Sequence, residues 1–153
     1  MNLIFLDVDG VLNSSRKLRE VWELTHKPHS GVNYPFDERC MNNLKLLVEK
    51  TNSKIVVTST WRKYEENRNR LLEELKKYEL NEYVIGYTKV FKDNPGIEIG
   101  EYLKTLDKDV NFIILDDSSK MGVLVEYLVK TDISVGLTYE NVEEAIKKLT
   151  KRN

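Results

Sequence analysis

Four short apolar runs punctuate the chain: Leu3 to Leu6, Lys54 to Ser59, Tyr83 to Thr88 and Asn111 to Leu115. Each is too short for a helix and continuous rather than alternating, which suits strands buried on both faces of a parallel sheet. Between them, apolar residues recur at helical spacing. Asp37 caps a helix bearing Cys40, Met41, Leu44, Leu47 and Val48, closed by Asn52 and Ser53. A long charged helix from about Trp61 to Tyr78 turns Tyr64, Leu71, Leu72 and Leu75 inward. Another starts at Ile97 and carries Ile99, Tyr102, Leu103 and Leu106 on one face. A helix from Met121 to Val129, a short strand at Ile133 to Val135 and a last helix from Glu140 to Lys151 complete the pattern. Only residues 14–36 lack clear periodicity. There Arg16 to Leu24 reads as a short helix or a loop, and His26 to Pro35 as irregular chain. The alternation predicts an α/β fold: a single doubly wound, mainly parallel sheet with helices on both faces. Residues 1–153 form one domain, with 14–36 at most a small flap after the first strand.

Composition narrows the partners. The 153 residues are 41% hydrophobic and 32% charged, a length and balance that support one well-packed soluble core. Twenty-four basic and 25 acidic residues leave a net charge of −1, so no global field recruits nucleic acid, although a local basic patch stays compatible with it. Cys40 is the only cysteine; it belongs to the apolar stripe of its helix, and its solitude fits a reducing compartment. With no charged leader before Leu3 and no run near the membrane-spanning length, the expected location is cytoplasmic, with no membrane partner. His26 and His29 have no cysteines or further histidines to complete a zinc set.

Candidate chemistry sits where strands end. In open α/β sheets the ligand crevice lies beyond the carboxyl ends of the strands. The first run ends in Asp7-Val8-Asp9-Gly10. Two carboxylates so close repel unless a cation neutralises them or one holds a proton, and Mg²⁺ is a cation that prefers oxygen ligands. Asp7 then reads as a nucleophile and Asp9 as an acid/base, while Gly10 turns the chain and offers its amide to a ligand. An EF-hand loop would need glycine at the sixth position, where Leu12 stands. The second run ends in Thr58-Ser59 at a helix start, where hydroxyls and free amides bind phosphate oxygens or simply cap the helix. Arg62 has two readings, a bidentate phosphate contact or a structural residue. The fourth run ends in Asp116-Asp117, further acids for the same ion or for capping the next helix.

The Asp7–Leu12 motif resembles motif I of the haloacid dehalogenase-like (HAD) phosphohydrolases, Thr58 their motif II hydroxyl, and Asp116-Asp117 their motif IV acids. The likeness runs in order along nearly the whole chain. It implies a HAD-type Rossmann-like fold and an Mg²⁺ ion held by Asp7, the backbone carbonyl of Asp9, and Asp116, with Asp117 ligating through water or orienting its neighbours. It further implies an aspartyl-phosphate on Asp7, with Thr58 and a motif III lysine on the phosphoryl oxygens. Lys92 is the first choice for that lysine and Lys89 the second. Gly10, Ser59 and Arg62 are the implied substrate contacts. In HAD enzymes an insertion after the first strand is a cap; about twenty residues make an open, minimal one. Asp-Gly-Val-Leu-Asn with Ser-x-Trp-Arg resembles HAD domains associated with RNA and polynucleotide end repair. Their Arg-Gly-x-Glu-Ile segment has its counterpart here in Pro95-Gly96-Ile97-Glu98-Ile99, without the arginine. The expected substrate is a phosphomonoester, either a nucleotide or a phosphorylated nucleic-acid end. A general small-molecule phosphatase and a non-catalytic Mg²⁺/phosphate-binding module are the alternatives; a dehalogenase would not need the metal acids. No protein partner is identified.

Overall fold

The computed structural model describes residues 1–91, 93–107 and 109–151. Five strands make one all-parallel sheet: β1 (Asn2–Leu6), β2 (Ser53–Val57), β3 (Val84–Tyr87), β4 (Asn111–Asp116) and β5 (Leu128–Lys130), in the order β3-β2-β1-β4-β5. The chain runs outward from β1 through β2 to β3, then returns to β4 on the other side. The reversal of strand order falls between β1 and β4, where such sheets open a crevice.

Among the described residues there are five helices, α1 (Ser15–Thr25), α2 (Glu38–Thr51), α3 (Glu65–Lys76), α4 (Pro95–Lys104) and α5 (Tyr139–Lys151), of which α2 to α5 pack on the sheet. Period-two alternation in β1 splits the core. Ile4 and Leu6 join the larger cluster with α2, α3 and α5 residues such as Leu44, Leu71 and Ala145. Leu3 and Phe5 join Ile99, Phe112, Ile114 and Met121 on the α4 side. Both faces are thus covered, which explains why the strands read as unbroken apolar runs.

The predicted Asp37 cap is present, its side chain accepting from Arg39 N–H, and Asn52 ends α2 in the left-handed conformation. Cys40 is fully buried, its Sγ donating to the Val135 carbonyl at 3.3 Å, and burial pushes its thiol up to about 12. Three expectations need correction. The helix expected over 61–78 is two pieces, a 3₁₀ turn at Thr60–Lys63 and then α3, because Tyr64 is extended (φ −123°, ψ 136°) and lies on the surface rather than inside. The helix expected over 121–129 is a 3₁₀ segment, Gly122–Tyr127, that exposes Val123 and Val125. The last strand is Leu128–Lys130, not 133–135. Asp132 Oδ1 accepts from both the N–H and the Oγ of Ser134, which folds Ile133–Val135 into a turn and leaves Ile133 exposed.

The irregular segment 14–36 holds α1 and a 3₁₀ turn, Gly31–Asn33. Its base is closed: Ser14 Oγ donates to buried Asp37 Oδ2 at 2.9 Å, and Asp37 N–H donates to the Leu12 carbonyl. Burial opposes the charge of Asp37, but hydrogen bonds from Arg39 and Ser14 outweigh it and hold the carboxyl below its usual range. Among the described residues, no helix is long and apolar enough to cross a membrane.

Candidate active site

The sheet ladder continues one residue past the strand ends. Asp7 N–H donates to the Leu115 carbonyl, Thr58 N–H to Leu6, and Thr131 N–H to Asp116, each at about 3 Å. These bonds line up Thr58, Asp7 and Asp116 on three adjacent strands at the carboxyl edge.

Asp7, Asp116 and Asp117 each bring a carboxylate oxygen to within 4.8 Å of the others. Ser118 N–H donates to Asp116 Oδ1 at 2.8 Å. Burial, then the charge of Asp116, pushes the Asp7 carboxyl well above its ordinary range; burial likewise pushes Asp116 up to about 6. Among the described residues, none of the three is ion-paired. The donors are all oxygens, with no thiol or imidazole, a set that suits a hard divalent cation. Gly10 lets Asp117 approach: at φ +82°, a Cβ there would lie 2.5 Å from Asp117 Oδ2.

The Asp9 carboxylate stands outside this cluster, exposed, with Oδ1 accepting from Asn13 Nδ2 at 2.8 Å and from the Trp61 indole N–H at 3.1 Å. Asn13 also accepts the Gly10 N–H through Oδ1 at 2.9 Å. The amide that Gly10 was expected to offer to a ligand is therefore engaged, a correction to its role. Asn13, Trp61 and Asp9 share a cleft of about 320 Å³ with Tyr34, Thr60 and Asn67. Burial, then the Asp9 charge, raises the Tyr34 phenol.

Around Thr58 the geometry separates the expected phosphate ligands. Among the described residues, Thr58 Oγ1 is buried without a hydrogen-bond partner, as is Thr88 Oγ1. Ser59 Oγ instead accepts from Trp61 N–H at 3.1 Å, capping the 3₁₀ turn. Arg62 is also corrected. Its guanidinium is buried, donating from Nη1 to the Thr58 and Ser59 carbonyls at 2.6 and 2.8 Å and from Nε to Thr88 at 2.8 Å. Nη2 pairs with Glu98 at 2.9 Å, and the same Glu98 oxygen accepts from Phe91 N–H. Arg62 thus fastens the turn after β2 to the segment after β3, leaving no free fork for phosphate. Lys92 lies outside the described residues. Lys89 is exposed and lines a hollow with Tyr87, Phe91, Glu98 and Tyr102 that includes none of Asp7, Asp116 and Asp117.

Asn13, Trp61 and Glu98 were not singled out for these roles by their sequence. The signal lay in the segments containing them, Asp9-Gly-Val-Leu-Asn13, Ser59-Thr-Trp-Arg62 and Gly96-Ile-Glu98, which meet in space. A family model described as the HAD domain in Swiss Army Knife RNA repair proteins matches residues 3–142, a span holding every one of these residues. No curated protein matches the chain.

Proposed function

The chain belongs to this family of HAD domains, and from that premise we propose that it is an Mg²⁺-dependent phosphomonoester hydrolase working through an aspartyl-phosphate, with a nucleotide or polynucleotide end as substrate. The observation that carries the reading is the trio of carboxylates gathered without a cationic partner among the described residues. Asp7, Asp116, Asp117 and the backbone carbonyl of Asp9 would hold the ion, which supplies neutralising charge between carboxylate and phosphate.

Asp7 attacks phosphorus as the ester oxygen leaves, taking its proton from Asp9. Asp9 then accepts a proton from the water that cleaves the acyl phosphate, which frees phosphate and restores Asp7. The two N–H donors on Asp9 Oδ1 orient the carboxyl; among the described residues nothing bonds Oδ2, the oxygen available for proton transfer. The unpartnered Thr58 hydroxyl donates to a phosphoryl oxygen, a bond that matters most as charge develops. The leaving group lies on the Asp9 side, where Asn13, Tyr34, Thr60 and Asn67 give the cleft an uncharged, hydrogen-bonding lining suited to a nucleoside.

The test is phosphate release from an aryl phosphate with Mg²⁺ or with chelator, beside Asp7→Asn. Magnesium-dependent release that vanishes in the variant is expected. Equal release from Asp7→Asn would refute the scheme.

A further inference from the structure

Helix α1 contributes no buried residue to the core. Yet Ser15, Leu18, Arg19 and Trp22 recur at i, i+3, i+4 and i+7, one stripe of its surface. The stripe forms one wall of a groove of about 400 Å³, whose other wall is Lys27, Pro28 and His29. Trp22 is 48% exposed there and makes a T-shaped contact with His26. Of the helix's other charges, Arg16 pairs with Asp37, Lys17 with Glu38 and Glu20 with Arg39, while Glu23 is exposed and does not line the groove. Arg19 and Lys27, by contrast, have no ion pair among the described residues, and no acid lines the groove. A planar ring flanked by two free cations complements an anion that carries aromatic rings.

The groove and the catalytic cleft are built on the same two segments. Asn13 and Gly31 line the cleft, while Ser15 and His29, each two positions away, line the groove. The groove therefore neighbours the cleft along both segments.

We infer that the α1 groove binds single-stranded nucleic acid next to the reacting end, stacking a base on Trp22 and pairing its phosphates with Arg19 and Lys27. This rests on the polynucleotide-end reading of the site and deepens it. The neutral overall charge is no obstacle, because stacking and a few local cations suffice for a short strand.

The experiment measures anisotropy of a labelled, unphosphorylated eight-nucleotide RNA with the full chain across a salt series, and compares KM for the terminally phosphorylated RNA and for an aryl phosphate. Trp22→Ala should weaken RNA binding by about tenfold or more, as expected for one lost stack. Arg19→Ala and Lys27→Ala should each flatten the slope of log affinity against log salt by about 0.7. Trp22→Ala should raise KM for the RNA alone. Binding that survives all three substitutions, or an acidic peptide that binds with equal affinity in a Trp22-dependent way, would overturn the inference. Because the binding probe carries no scissile phosphate, Trp22-dependent binding by a protein that releases no phosphate would uphold the groove and refute the catalytic reading. Aryl phosphate turnover beside Trp22-independent RNA binding would do the reverse.

Discussion

Replacing Asp116 with asparagine should make the metal-free protein more stable at neutral pH. Asp116 shares a site with Asp7 and Asp117, their ligand oxygens within 4.8 Å. Two unit charges at that distance repel by about 3.5 kcal/mol at an effective dielectric constant of about 20. Burial, the largest cause, together with the charge of Asp117 outweighs the hydrogen bonds from Ser118 N–H and Asp7 and lifts the Asp116 carboxyl from 3.8 to about 6. At about 1.4 kcal/mol for each pH unit, that rise costs the folded state about 3 kcal/mol once the group is ionised. The sign follows from which state binds the proton more tightly. Below about pH 4 the carboxyl is protonated folded and unfolded, and the penalty is absent. As pH rises toward 6 the folded state retains a proton that the unfolded state has released; stability falls, and above 6 the full penalty remains. Asparagine removes the charge yet keeps an oxygen for Ser118 N–H, so a net gain of about 1–3 kcal/mol is expected at pH 7.5 and almost none at pH 4. For a chain of this size that is about 2–12 °C in Tm. Thermal unfolding of both proteins in chelator at pH 4, 6 and 7.5 provides the measurement. Adding Mg²⁺ should raise the wild-type Tm at pH 7.5 and move the variant less. A variant less stable than wild type in chelator at pH 7.5, or a gain that does not grow with pH, would refute the reasoning.

Glu98→Gln should destabilise by about 3 kcal/mol, because it leaves the buried Arg62 guanidinium without a counter-charge; chemical denaturation reads this directly, and an unchanged midpoint would show that the three carbonyl acceptors suffice. Thr58→Val should separate stability from activity. Removing a buried hydroxyl without a partner leaves the denaturation midpoint equal or higher, whereas turnover falls by about a hundredfold through loss of a phosphoryl donor; a variant with normal turnover would remove Thr58 from the site.

What could be read in the chain was what short range controls. The apolar runs named four of the five strands: β1, β2 and β4 because they are buried along most of their length, and β3 by its apolar run although it lies half-exposed at the sheet edge; Asp37 named its helix because a cap acts within its own turn. The last strand was misread because Leu128-Val129-Lys130 and Ile133-Ser134-Val135 look alike until Asp132 is seen binding Ser134. That Asp7 would meet Asp116 and Asp117 was legible, since parallel pairing carries both strand ends to one edge, whereas the Asp9 carboxylate turns away to Asn13 and Trp61. The partners of Arg62 were not. A guanidinium serves phosphate and carbonyl oxygens equally well, and only tertiary packing brings Glu98 and the Thr58, Ser59 and Thr88 carbonyls to it.

The register that joins Leu6 to Leu115 has a consequence in time. A ribosome makes Asp7 more than a hundred positions before the acids that complete its cluster. Pairing so distant in the chain is slow to form, because the whole intervening loop must be closed first. A nascent chain that has not yet released β4 carries Asp7 but has no strand to hold it beside Asp116 and Asp117. The carboxylate cluster therefore assembles in one late step, with the docking of β4 against β1.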